Sequence, residues 1–158
     1  MVTRDYESPL GRIVMRAAGS ALVSLQFDDQ ECAGSADKLR DPDDTAENAV
    51  LDAAAAWLDR YFRSELPGPT PPLHPVGTAF QHKVWALTAE IPYGETRSYG
   101  ALAKTLQSAP RAVGGALGKN PILLMIPCHR VLGADGSLTG FAAGLARKRT
   151  LLAFEKPQ

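Results

Sequence analysis

Cys128 stands between Pro127 and the pair His129-Arg130, directly after the apolar run 122–126 (ILLMI). A cysteine attacks as its thiolate, and cationic neighbours lower the pKa of the thiol. His129 is the residue type that takes the thiol proton, and Arg130 carries a charge that favours the anion. Together they make a candidate nucleophile. The same three residues also fit a buried structural cysteine, the commoner fate of a free thiol. Cys32, the other cysteine, has no such neighbours. Two cysteines without a C-x-x-C pair are too few for a disulfide framework or a four-cysteine zinc site. His74, His82 and His129 form no H-x-x-x-H pair, so no metal is expected.

Glu155 adds a second piece. On a helix it lies about 40° from Leu151 and about 60° from Leu152, with Lys148 almost directly above it. It therefore projects from an apolar face, where a carboxylate needs a partner. A histidine is one such partner, because a carboxylate fixes its tautomer and raises its basicity. That reading gives a Cys128–His129–Glu155 relay. Two others stay open on these residues: a solvated Glu155 at the C-terminus, or a pair with Lys148.

These residues must be positioned by the elements around them. Residues 9–13 read as a turn between two short strands, and Ala21–Phe27 as a third, although Leu22 and Leu25 are out of phase. Residues 31–47 are acidic and rich in small side chains, an exposed loop. Residues 46–63 carry Val50, Ala54, Trp57, Leu58 and Tyr61 on one helical face. The stretch 64–77 (SELPGPTPPLHPVG) holds five prolines and cannot be regular helix or central strand. It marks a boundary: a first domain over 1–70, a proline-rich linker over 71–76 and a second domain over 77–158.

Beyond the linker, Thr78 and Gln81 form a capping box. Phe80, Val84, Leu87 and Ile91 follow at helical spacing, and Pro92-Tyr93-Gly94 stops that helix. Ser98 is a candidate N-cap for Tyr99–Leu106. Pro110 suits the first turn of another helix bearing Arg111, Val113 and Leu117. Two short helices with a tight break resemble a helix-turn-helix. The run 122–126 is too short for a helix and reads as a buried extended segment. A last helix spans Leu145–Glu155.

The net charge of zero hides an asymmetry. Residues 1–75 hold seven basic and thirteen acidic side chains, a net of −6; residues 76–158 hold ten and four, a net of +6. A basic second half suits an anionic partner, but chance segregation also occurs in a chain this short, so alone the asymmetry decides nothing. No segment approaches the ~20 apolar residues of a membrane helix. The N-terminus lacks a signal peptide's apolar core, so a cytoplasmic location is expected.

Residues 126–131 (IPCHRV) resemble the acceptor-site motif of the O6-alkylguanine-DNA alkyltransferases. Residues 91–99 (IPYGETRSY), 111–116 (RAVGGA), Asn120-Pro121 and 145–155 (LARKRTLLAFE) resemble further blocks of that family, in the same order. The likeness is strong over 76–156 and general in the N-terminal half. It implies an α/β N-terminal domain, a small antiparallel sheet with a helix in a ribonuclease-H-like arrangement. It implies a mainly α C-terminal domain with a helix-turn-helix, whose second helix enters the minor groove.

The activity implied is direct-reversal repair of double-stranded DNA. The damaged nucleotide is flipped out of the duplex, because a stacked guanine hides its O6 atom. The alkyl group passes irreversibly to a cysteine, once per molecule, with O4 of thymine as a second position. By resemblance, Cys128 is the acceptor. His129 deprotonates it through a bound water and Glu155 backs that histidine. Asn120 ties the recognition helix to the cysteine turn, Tyr99 meets the flipped nucleotide, and Arg111 enters the base stack. Ser98, Ala112, Gly115 and Arg130 join Tyr99 and Arg111 as DNA contacts. Val131, Phe141, Ala142, Ala143 and Lys148 form the substrate pocket, with the far wall at 140–143. Phe141 stands where the family usually has tyrosine, and Ala142-Ala143 replace small Ser/Gly residues. A monomer that clusters on DNA is implied, with no cofactor.

Three rivals have distinct signatures. A damage-binding relative without repair lacks the acceptor cysteine, which is present here. A Cys-His-Glu hydrolase turns over acyl substrates without DNA. A helix-turn-helix regulator prefers one DNA sequence.

Overall fold

The computed structural model describes residues 2–29, 48–134, 136, 141 and 143–155. The acidic segment 31–47, Cys32, Gly140 and Ala142 lie outside the described residues. The chain divides into two compact units, Met1–Val76 and Gly77–Gln158.

The first unit is an antiparallel meander, β1 (Val2–Ser8), β2 (Gly11–Ala18) and β3 (Ala21–Phe27), with helix α1 (Ala49–Phe62). Gly19, at φ +61°, takes the left-handed conformation that turns β2 into β3. The pairing slips between Arg16↔Ser24 and Ala17↔Leu22, leaving Val23 as an extra residue. That bulge explains the broken alternation in β3. It lets Leu22, Leu25 and Phe27 all reach full burial, because an inserted residue resets the strand's period of two. Asn48 caps α1 by accepting from Val50 N and Leu51 N at 2.9 and 3.1 Å. The helix expected over 46–63 thus begins at Ala49 and buries the expected face, Val50 through Tyr61. The proline stretch is not wholly free of pairing. Pro72 O accepts from Leu22 N and His74 N donates to Leu22 O, both at 2.8 Å. This bridge needs no donor from a proline, so it fits the edge of the sheet.

In the second unit, α2 (Ala79–Ala89) starts on the Thr78/Gln81 capping box. Its buried face is Val84, Trp85 and Thr88, rotated from the expected Phe80–Val84–Leu87 line. Trp85 decides this: its Nε1 donates to Ala116 O at 2.9 Å, so the largest side chain faces the next helices with its polar atom satisfied. Strand β4 (Arg97–Ser98) leads directly into α3 (Tyr99–Leu106), which Ser98 caps. Gln107, at φ +54°, breaks the chain sharply before α4 (Pro110–Gly118). A 3-10 turn at Cys128–Arg130, strand β5 (Val131–Leu132) and helix α5 (Leu145–Glu155) complete the unit.

The run 122–126 corrects an expectation. It is buried, but it is a turn and not an extended segment. Ile126 N donates to Ile122 O at 3.1 Å, and Leu124 sits at φ +70°. Asn120 holds the turn from inside: Oδ1 accepts from Ile122 N at 2.9 Å and Nδ2 donates to Ile126 O at 2.8 Å. One amide side chain thus meets the needs of two buried backbone groups.

Candidate active site

Strands β4 and β5 have two residues each, yet they set the site. Their parallel pairing, Arg97 with Val131 and Ser98 with Leu132, lays the start of α3 beside the exit of the cysteine turn. Tyr99 and Cys128 thereby line one cavity of about 540 Å³. Arg111 and Phe141 line it too, and Gly100, Gly114 and Gly118 keep its walls low. That volume lies within the range of small-ligand sites. Cys128 is only 5% exposed.

Behind the cysteine stand three buried ionisable side chains. His129 Nε2 is hydrogen-bonded to Glu155 Oε2. Arg130 Nε donates to Glu155 Oε1 at 2.6 Å, and its Nη1 donates to Ile91 O at 2.7 Å. The same guanidinium lies 5.7 Å from the centre of the Tyr93 ring. Lys148, also buried, donates its Nζ to Val131 O at 2.7 Å and lies 5.6 Å from the Tyr99 ring centre. Helix α5 therefore supplies both Lys148 and Glu155 from one face, two turns apart.

Burial governs the protonation states. It pushes the Cys128 thiol up to about 11, although Asn120 and the Lys148 charge pull it down. Burial also lowers the pKa of His129; Glu155 opposes this, while the Arg130 and Lys148 charges add to it. Lys148 is lowered by burial, against the pull of Cys128. Burial thus favours a thiol beside a neutral imidazole. With Nε2 on Glu155, Nδ1 is the basic ring nitrogen.

Cys128, Tyr99, Arg111 and Phe141 come together at the cavity, with His129, Glu155 and Asn120 directly behind. Ala112 and Gly115 are exposed on α4, and Ser98 Oγ accepts from Ala101 N at 3.0 Å. Ala143 is buried, and its carbonyl accepts from Arg147 at 3.3 Å. Arg130 requires a correction. Expected as a DNA contact, it is 6% exposed and committed to Glu155 and Ile91. Its charge is spent inside, where an unpaired carboxylate would be costly. Lys148 and Val131, expected as pocket residues, sit behind the cavity and bond each other. By spacing alone, Tyr93-Gly94 reads as a helix stop within the 91–99 block. Tyr93 Oη donates to Phe154 O at 3.0 Å and Gly94 N to Glu155 Oε1 at 3.4 Å, so this turn also cradles the end of α5. Its signal was the apolar face of Glu155, which called for more partners than one histidine.

Two family models match the chain. Residues 79–157 match the 6-O-methylguanine DNA methyltransferase, DNA binding domain, and residues 1–68 match the ribonuclease-like domain of the same name. The methylated-DNA–protein-cysteine methyltransferase of Mycobacterium leprae is 43% identical over 157 residues, covering 98% of this chain and 92% of that protein. The protein of that name from Methanosarcina acetivorans is 42% identical, covering 95% of each. Among solved structures, Mycobacterium tuberculosis OGT in complex with DNA superposes with a TM-score of 0.87 at 41% identity, covering 99% of this chain and 93% of that one.

Proposed function

The chain belongs to the 6-O-methylguanine DNA methyltransferase family, and from that premise we propose that it repairs O6-alkylguanine in DNA by moving the alkyl group to Cys128. It is a methylated-DNA–protein-cysteine methyltransferase acting by direct reversal. The observation that carries this reading is Cys128 lining an apolar cavity with Tyr99 and Arg111, while His129 and Glu155 stand behind it.

The chemistry follows from that arrangement. A flipped nucleotide fills the cavity. The Cys128 proton passes to His129, whose imidazolium Glu155 stabilises. The thiolate attacks the alkyl carbon in line, an S–C bond forms and the C–O6 bond breaks. The electron pair leaves with guanine, which takes up one proton. In sum, thiol and alkylguanine become thioether and guanine. Simple hydrolysis does not reverse a thioether, so each molecule acts once. Tyr99, in the cavity wall, meets the base, and Arg111 fills the gap left in the duplex.

The α3–α4 pair faces DNA, and its grip is largely on phosphates. Among the described residues no helix is long and apolar enough to cross a membrane. The reading takes the protein as a cytoplasmic monomer that clusters on DNA.

The test is mass analysis of peptides after incubation with a methylated duplex. One methyl on the Cys128 peptide is expected, and none in the Cys128→Ala variant. A methyl on any other peptide, or on none, overturns the reading.

A further inference from the structure

We propose that Arg130 is a positioning residue of the relay: it fixes one oxygen of Glu155 so that the other is held on His129, and its charge reserves the relay for the proton of Cys128. This rests on the transfer chemistry above and extends it to a residue that touches neither substrate nor thiol.

The geometry assigns the two carboxylate oxygens to different tasks. Oε1 accepts from Arg130 Nε at 2.6 Å and from Gly94 N at 3.4 Å, while Oε2 meets His129 Nε2. The side chains of His129, Arg130 and Glu155 are 0%, 8% and 1% exposed, so the arrangement has little access to water. Arg130 is itself held from two sides, by Ile91 O at 2.7 Å and by the Tyr93 ring. Tyr93 Oη in turn ties down Phe154 O, the residue before Glu155. Gly94 closes the cradle. Its φ is +84°, and a Cβ there would lie 3.2 Å from Glu155 O.

The charges around His129 give this cradle its consequence. Glu155 and Lys148 face it from α5, Arg130 and Cys128 flank it in the turn, and Tyr93 and Tyr99 stand beyond them on the segments that pack there. With Cys128 a thiol and His129 neutral, the two cations and one carboxylate leave a buried net charge of +1. A proton from solvent would raise it to +2, which a dry interior opposes. A proton handed over by Cys128 leaves the total unchanged. Arg130 therefore weighs more heavily against a solvent proton than against the catalytic one, whose cost at His129 is offset by the thiolate that it leaves on Cys128 beside Lys148. Remove its charge and the resting cluster is neutral, so the His129–Glu155 pair takes up a solvent proton at higher pH, whichever member carries it.

The experiment is the single-turnover transfer rate across pH for the wild type, Arg130→Lys, Arg130→Gln and Arg130→Met, all read as alkylation of Cys128. Arg130→Gln and Arg130→Met are expected to move the acid limb upward by about one pH unit, a tenfold loss of the ready state on that limb. Arg130→Lys keeps the charge and is expected to leave the limb in place. NMR titration of the His129 ring in the same proteins without DNA should show the same displacement. An acid limb and a ring titration unmoved in both neutral variants, with rates lowered equally at every pH, overturn the proposal and leave Arg130 a structural residue. Should the wild type place no alkyl group on Cys128, the transfer reading fails, and the ring titration still decides the charge effect. Arg130→Gln keeps hydrogen-bonding groups in the cradle and serves if Arg130→Met does not fold.

Discussion

The inner end of α5 and the outer face of α4 carry charge in opposite ways. At the inner end, Glu155, Arg130, His129 and Lys148 are all buried, and each is bonded to a protein partner. On the outer face, Arg111 is exposed and has no ion-pair partner among the described residues, with small Ala112 and Gly115 beside it. A buried charge paired in a fixed geometry acts on the pKa values around it. A free charge on a helix surface acts on whatever anion docks there. The two regions should therefore fail differently: the first in rate and pH profile, the second in affinity and salt dependence.

The largest expected effect breaks the inner region. Glu155→Gln cannot offer Arg130 and His129 a carboxylate oxygen each, because one of its terminal atoms is a donor. The transfer rate should fall about 100-fold or more, the lower end of what a general base contributes, with binding to an alkylated duplex unchanged. An equal loss of binding would show that Glu155 serves the fold instead. In the wild type the acid limb should lie below the ordinary histidine range, since burial lowers the pKa of His129. The unfolded chain binds a proton there that the folded chain refuses. Stability should therefore also fall as pH drops below the ordinary histidine value of about 6.5.

Both regions were partly legible in the sequence, for different reasons. Caps are local chemistry, so Thr78 with Gln81, Ser98 and Pro110 marked the starts of α2, α3 and α4 before any tertiary contact was known. The face of α5 was legible from spacing, and Glu155 with it. What escaped depends on contacts between segments far apart in the chain. An apolar run of five does not distinguish a strand from a buried turn. The clue at 122–126 was Asn120, whose amide serves both Ile122 N and Ile126 O. Arg130 was placed on DNA by the family resemblance, and nothing in its neighbours along the chain points to the interior. Its true partners are 25 and 39 residues away, at Glu155 and Ile91. Lys148 has the spacing to pair with Glu155, yet it goes to Val131 O.

A smaller effect tests the outer region. Arg111→Ala should weaken binding to duplex DNA about tenfold and lower the slope of log affinity against log salt by about one, the share of a single phosphate contact. At saturating DNA its acid limb should coincide with that of the wild type. A shifted limb would erase the distinction drawn between the two regions.

The smallest effect sits in the break between α3 and α4. Gln107 holds φ +54°, where a side chain costs about 1 kcal/mol or more and glycine costs little. Glycine also loses more backbone entropy on folding, which offsets part of that gain. Gln107→Gly should therefore stabilise the fold by at most about 1 kcal/mol, read as a rise in the denaturant midpoint at constant slope. Gln107 is exposed and touches neither the cavity wall nor the relay. The transfer rate at saturating DNA and its pH profile should thus be those of the wild type. If the rate changed with stability, the α3–α4 break would be coupled to the chemistry through α3, whose first residue, Tyr99, shares the cavity with Cys128.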